Sequence, residues 1–198
     1  MKNIFTLLSV LLFSACIEIR VSEDGSRDLE QNDAQSLSVF NSADAGKDKT
    51  ITKPEDIVFQ EIGSENLKKI TKMNRKTWIY VWGSWCTPCR KKLPLIAQIH
   101  RDNPDWNVVL ASDDYKIEVL QKLLFEHKIF VQPYILDKAE FGIKTHVKEQ
   151  KLWEAMNTGM PYSDGVPQNY IFDEKGKLIY YGSGSIPEDL MNTLFVVR

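Results

Sequence analysis

The sequence is poor in metal-binding side chains. Its three histidines, His100, His127 and His146, are scattered, and its three cysteines contain one close pair. A structural zinc needs four ligands, usually with a second C-x-x-C or a spaced histidine pair, so no metal is expected. A long basic block is also missing and the formal charge is −2, so nucleic acid is not an expected partner. The apolar run at the start, Ile4 to Phe13, has the length of a signal-peptide core and falls well short of a membrane span. What remains is an ordinary globular composition, 43% apolar and 26% charged, with five tryptophans and nine phenylalanines as core material.

The chain is organised around Trp85-Cys86-Thr87-Pro88-Cys89. Its run-in, Lys76 to Trp82, is β-branched and aromatic and reads as a buried strand. Beyond it Leu93, Ile96, Ala97 and His100 recur at helical spacing. The cysteine pair therefore falls where a strand yields to a helix. Free amides and the positive end of the helix dipole favour an anion there, and a thiolate is one. Such settings bring a cysteine from about 8.5 down to about 3.5–7.5. A fall to about 7 raises the thiolate share at neutral pH roughly sixteenfold, against a roughly fivefold loss of nucleophilicity. Cys86 is the expected attacking sulfur and Cys89 the resolving one. Half of a zinc site and an inert disulfide are the competing readings.

Trp-Cys-x-Pro-Cys after such a strand resembles the thioredoxin superfamily. Trp85-Cys86-Thr87-Pro88-Cys89-Arg90 with Leu93-Pro94 following resembles its TlpA/ResA-like branch of membrane-tethered thiol–disulfide oxidoreductases. A second mark is Gly165-Val166-Pro167 just before the apolar run Gln168 to Asp173. The resemblance implies a thioredoxin-like α/β fold with a mixed central sheet flanked by helices. It also implies a cis Pro167 facing the cysteines, and Val166 pairing with the substrate backbone. Trp85, Thr87 and Pro88 would complete the docking surface.

The same resemblance marks two departures. Thioredoxins place a buried acid where this chain has Tyr80, and the branch usually carries a glutamate where this chain has Lys92. Both positions are expected to tune the cysteines. A lysine close to Cys86 would favour its thiolate; the alternative is that Lys92 points into solvent.

At the N-terminus, Leu12-Phe13-Ser14-Ala15-Cys16 resembles a bacterial lipobox, which sets Cys16 apart as a lipidation site; an unlipidated Cys16 on a secreted protein is the alternative. Residues 1–15 are then a lipoprotein signal peptide. Residues 16–55, rich in Ser, Asp, Asn, Gln, Gly and Lys, read as a disordered tether. The domain is expected over 56–198. Within it strands at 57–62, 77–82, 107–112 and 130–136 alternate with helices at 64–73, 87–101 and 117–127, which points to a mainly parallel sheet. Ser64 is the expected N-cap of the first helix. Residues 137–165 form an insertion with an added helix before the cis-proline loop, either shaping the substrate groove or lying at the periphery. A hairpin over 168–182 and a helix after Pro187 close the chain.

Together these features predict an extracytoplasmic oxidoreductase that exchanges a Cys86–Cys89 dithiol with envelope proteins and works as a reductant without a cofactor. Its partners would be thiol- or disulfide-containing proteins and an upstream dithiol donor, with the membrane reached through the lipid on Cys16. A non-enzymatic binding module and a copper carrier are the rival readings.

Overall fold

The computed structural model describes residues 37, 38 and 40–196. In chain order these form β1 (Leu37–Ser38), β2 (Phe59–Ile62), α1 (Ser64–Thr71), β3 (Lys76–Trp82), α2 (Thr87–Asp102), β4 (Trp106–Ser112) and α3 (Ile117–Glu126). There follow β5 (Tyr134–Leu136), α4 (Lys138–Phe141), α5 (Thr145–Met156), β6 (Gln168–Phe172), β7 (Leu178–Ser183) and α6 (Glu188–Leu194). The expected signal peptide, Cys16 and residues 17–36 and 39 of the expected tether lie outside the described residues.

The strands make one mixed sheet in the order β1-β2-β5-β4-β3-β6-β7. β1 to β5 pair in parallel, while β6 runs antiparallel to β3 and to β7. β3 is central, and its alternation divides the interior in two. Trp78, Tyr80 and Trp82 face one cluster, with Leu93, Ile96 and Ile99 of α2 and both cysteines. Ile79 and Val81 face the other, with Leu67 and Ile70 of α1 and Leu152 and Met156 of α5. Each face of the sheet thus has its own helices, as parallel crossovers require.

Three expectations need correction. Residues 40–55 are not a free tether: Ala45 is buried, the Lys49 amide donates to the Phe130 carbonyl at 2.9 Å, and the Gln60 side chain ties both Asn41 and Asp44. A polar segment can be fixed through its backbone and side-chain hydrogen bonds without burying much apolar surface. Ser64 is the first residue of α1 rather than its cap, which is Gly63. The carboxylate of Glu140, from α4, accepts both the Ser64 amide and its hydroxyl, and supplies the anion that a helix start favours. Finally, β5 is confined to Tyr134–Leu136, and Val131 makes only an isolated bridge with Asp48.

Candidate active site

β3 delivers the chain to Gly83-Ser84-Trp85, where a tight turn leads into α2. There is no room for a side chain at Gly83. A Cβ would stand 2.5 Å from Asp113 Oδ1 and 2.5 Å from the Trp85 indole nitrogen. The turn is anchored from the residues just after β4: the Asp113 amide donates to the Trp82 carbonyl at 2.9 Å, and the Asp114 carboxylate accepts the Ser84 amide. Burial raises the Asp114 carboxyl above its ordinary 3.8, opposed by the amides of Lys116 and Ser84.

Cys86 is the N-cap of α2, with Thr87 and Pro88 in the first turn and Cys89 one turn in. The two cysteines are joined, S–S 2.03 Å. The Cys89 amide donates to Cys86 Sγ at 3.1 Å, so a helix-start amide already points at the sulfur that would carry the charge. Cys86 is 3% exposed and Cys89 fully buried, whereas Trp85 beside them is 46% exposed. Thr87, Pro88, Arg90 and Lys91 are exposed around the same helix start.

The peptide bond between Val166 and Pro167 is cis. This loop comes back against the disulfide, placing the Val166 carbonyl 3.5 Å from Cys86 Sγ. A disulfide sulfur has no proton to donate, so this is a contact here; the thiol form can turn it into a hydrogen bond. Pro167 is buried and Val166 half-buried, with the Pro167 carbonyl accepting the Gly184 amide at 2.7 Å. Residues eighty positions apart in sequence therefore share one site.

Tyr80 lies beneath it, fully buried, with its hydroxyl donating to the Cys89 carbonyl at 3.2 Å. Burial pushes its phenol far above the ordinary 10.0, so it is a donor and not a proton acceptor near neutrality. Lys92 does not point into solvent. Its ammonium donates to the Gly184 carbonyl at 3.0 Å, and desolvation lowers its pKa from 10.5. Asn169 Nδ2 donates to the same carbonyl at 3.1 Å, while its Oδ1 receives the Trp78 indole. Lys92, Leu95, Trp78, Ile186 and Met191 border a cavity of about 310 Å³ between α2 and α6.

Sequence reasoning passed over Lys148 and Glu149, both 1% exposed. The available signal was the position of Lys148, four residues before the buried Leu152 and so on the same helix stripe.

No protein-family model matches the chain. Among solved structures, the thioredoxin domain of a thiol-disulfide oxidoreductase from Bacteroides vulgatus is 20% identical, with a TM-score of 0.47, covering 64% of this chain and 80% of that one. Among curated proteins, a probable thiol:disulfide interchange protein DsbE-2 from Pasteurella multocida is 23% identical over 116 residues, 59% of this chain and 52% of the relative. The sporulation thiol-disulfide oxidoreductase A of Bacillus subtilis is 23% identical over 148 residues, 72% of this chain and 79% of the relative. The chain spans about half the length of the first of those relatives. In this chain the cysteine pair and the Val166-Pro167 loop meet, with the Tyr80 hydroxyl on the Cys89 carbonyl and the Lys92 ammonium on the Gly184 carbonyl.

Proposed function

We propose that this protein is an extracytoplasmic thiol–disulfide oxidoreductase, acting as a reductant of envelope proteins and tethered through a lipid on Cys16. The reading rests on one observation: the Cys86–Cys89 disulfide caps a helix with the Val166 carbonyl 3.5 Å from Cys86 Sγ. In the reduced protein, the Cys86 thiolate attacks a substrate disulfide, forming a mixed disulfide and expelling one substrate thiolate. The Cys89 thiolate then attacks Cys86 Sγ, closing the internal disulfide and releasing the second. Two electrons pass to the substrate, each released thiolate takes up a proton, and an upstream dithiol protein restores the pair. No cofactor enters this balance.

The N-cap amide favours the charge on Cys86, and buried Cys89 is reached only from within. Trp85, Thr87, Pro88 and the Val166-Pro167 loop surround the entering sulfur and form the docking surface.

Insulin reduction with dithiothreitol tests the reading. Turnover is expected in the wild type and absent in Cys86→Ser, while Cys89→Ser accumulates a covalent protein–insulin adduct. A Cys86→Ser protein that still turns over sinks it. A reduction potential near −270 mV, as for thioredoxin, supports a reductant; one near −120 mV supports a disulfide donor.

A further inference from the structure

Helix α5 carries charge where core packing calls for apolar side chains. Lys148, Leu152 and Met156 share one stripe; Leu152 is fully buried, and Met156 is 9% exposed. Lys148 heads that stripe at 1% exposure, and Glu149, one step around the helix, is equally buried. Lysine and glutamate are almost never fully buried unless paired, and withdrawing each ion from water costs several kcal/mol. Such residues need partners that reward their position.

Those partners are the two loops that bound the disulfide. Lys148 Nζ donates to the Asp113 carbonyl and lies 4.5 Å from the centroid of the Tyr115 ring. In turn the Asp113 amide holds the Trp82 carbonyl and the Asp114 carboxylate holds the Ser84 amide, on the lead into Cys86. On the other side, Glu149 Oε2 accepts the Gly165 amide at 3.0 Å. Gly165 sits at φ 83°, a left-handed conformation that favours glycine and that aims its amide at the carboxylate. The next residue is Val166, whose carbonyl lies against Cys86 Sγ. Consecutive residues of one helix therefore reach both walls of the site.

We propose that Glu149, with Lys148 beside it, is a positioning residue for exchange with polypeptide disulfides. A polypeptide bonded through its cysteine to Cys86 must run past Val166, so its fit depends on where the Gly165-Val166 segment is held. A small disulfide needs only the sulfur and makes no such demand. The insertion helix thus selects for extended polypeptide over small-molecule disulfides. This rests on the exchange reading above, and the test separates the two.

The full-length protein, as wild type, Glu149→Ala and Glu149→Gln, is assayed for reduction of insulin and of bis(2-hydroxyethyl) disulfide. Removing one charge-assisted hydrogen bond to the loop is expected to raise the insulin KM about tenfold in Glu149→Ala. The small disulfide should react within about twofold of wild type, since the site's chemistry is untouched. Glutamine keeps an acceptor oxygen at the same reach and should restore the insulin KM. If Glu149→Ala does not fold, Glu149→Asp keeps the charge but withdraws it by one methylene, and should raise the insulin KM as alanine would. Equal losses on both substrates, no loss on either, a glutamine variant as impaired as alanine, or an aspartate variant like wild type overturns the proposal. A wild-type protein that reduces neither substrate overturns the exchange reading itself.

Discussion

Replacing Tyr80 with phenylalanine removes one oxygen from beneath the disulfide, and its effect on stability should change sign with pH. At neutral pH the variant loses the hydrogen bond to the Cys89 carbonyl, 3.2 Å long. That carbonyl belongs to a helix and also accepts from the amide four residues on, so the loss is about 1 kcal/mol. At high pH a second effect enters. The unfolded chain ionises Tyr80 near its ordinary 10.0, while burial keeps the folded phenol protonated. A phenol raised in this way contributes stability that is fully present below pH 10 and is lost as pH rises beyond it. At pH 11 that loss amounts to about 1.4 kcal/mol in the wild type and is absent from the variant. Tyr80→Phe should therefore be destabilising by about 1 kcal/mol at pH 7 and stabilising by about 0.4 kcal/mol at pH 11. Urea midpoints of both oxidised proteins, followed by circular dichroism across this range, should cross between pH 10 and 11; other titrating groups are common to both and cancel. A constant gap between the two curves would refute the argument.

Two further substitutions probe the same surroundings. Gly83→Ala places a methyl where Asp113 and the Trp85 indole already stand at 2.5 Å. The more exposed indole should give way, at a cost of about 1–3 kcal/mol and with slower insulin reduction; unchanged stability and rate would contradict this. Lys92→Met removes the donor to Gly184, and because the side chain is half-exposed the loss at pH 7 should not exceed about 1 kcal/mol. Desolvation lowers the Lys92 ammonium from 10.5, so the unfolded chain holds that proton more firmly and stability rises as pH climbs towards 10.5. The methionine variant should lack that rise in urea midpoints measured between pH 8 and 10.

The junction that carries the cysteine pair was legible because its pattern is local. A β-branched and aromatic run before Trp85-Cys86-Thr87-Pro88-Cys89 forces a strand-to-helix junction, and β3 and α2 lie where that pattern puts them. The position of Pro167 against Cys86 followed from a resemblance, since nothing in the spacing of residues 86 and 167 brings them together. The strap at 40–55 was hidden because composition registers apolar side chains, whereas this segment is held through backbone amides and the Gln60 side chain. Ser64 looked like a cap because its true anion, Glu140, comes from 76 residues away. Lys148 and Glu149 were passed over for the opposite reason: charged residues on a helix are ordinarily solvated, and only the tertiary fold turns these two inward.

The two rims of the sheet are unequal. One ends, among the described residues, in β1, two residues long, which offers little backbone for another chain to copy. The other ends in β7, six residues long, with no strand on its outer side among the described residues. Among the described residues, aggregation by strand addition in a concentrated solution is therefore favoured at β7, and a lysine or proline installed along that rim is the place to prevent it.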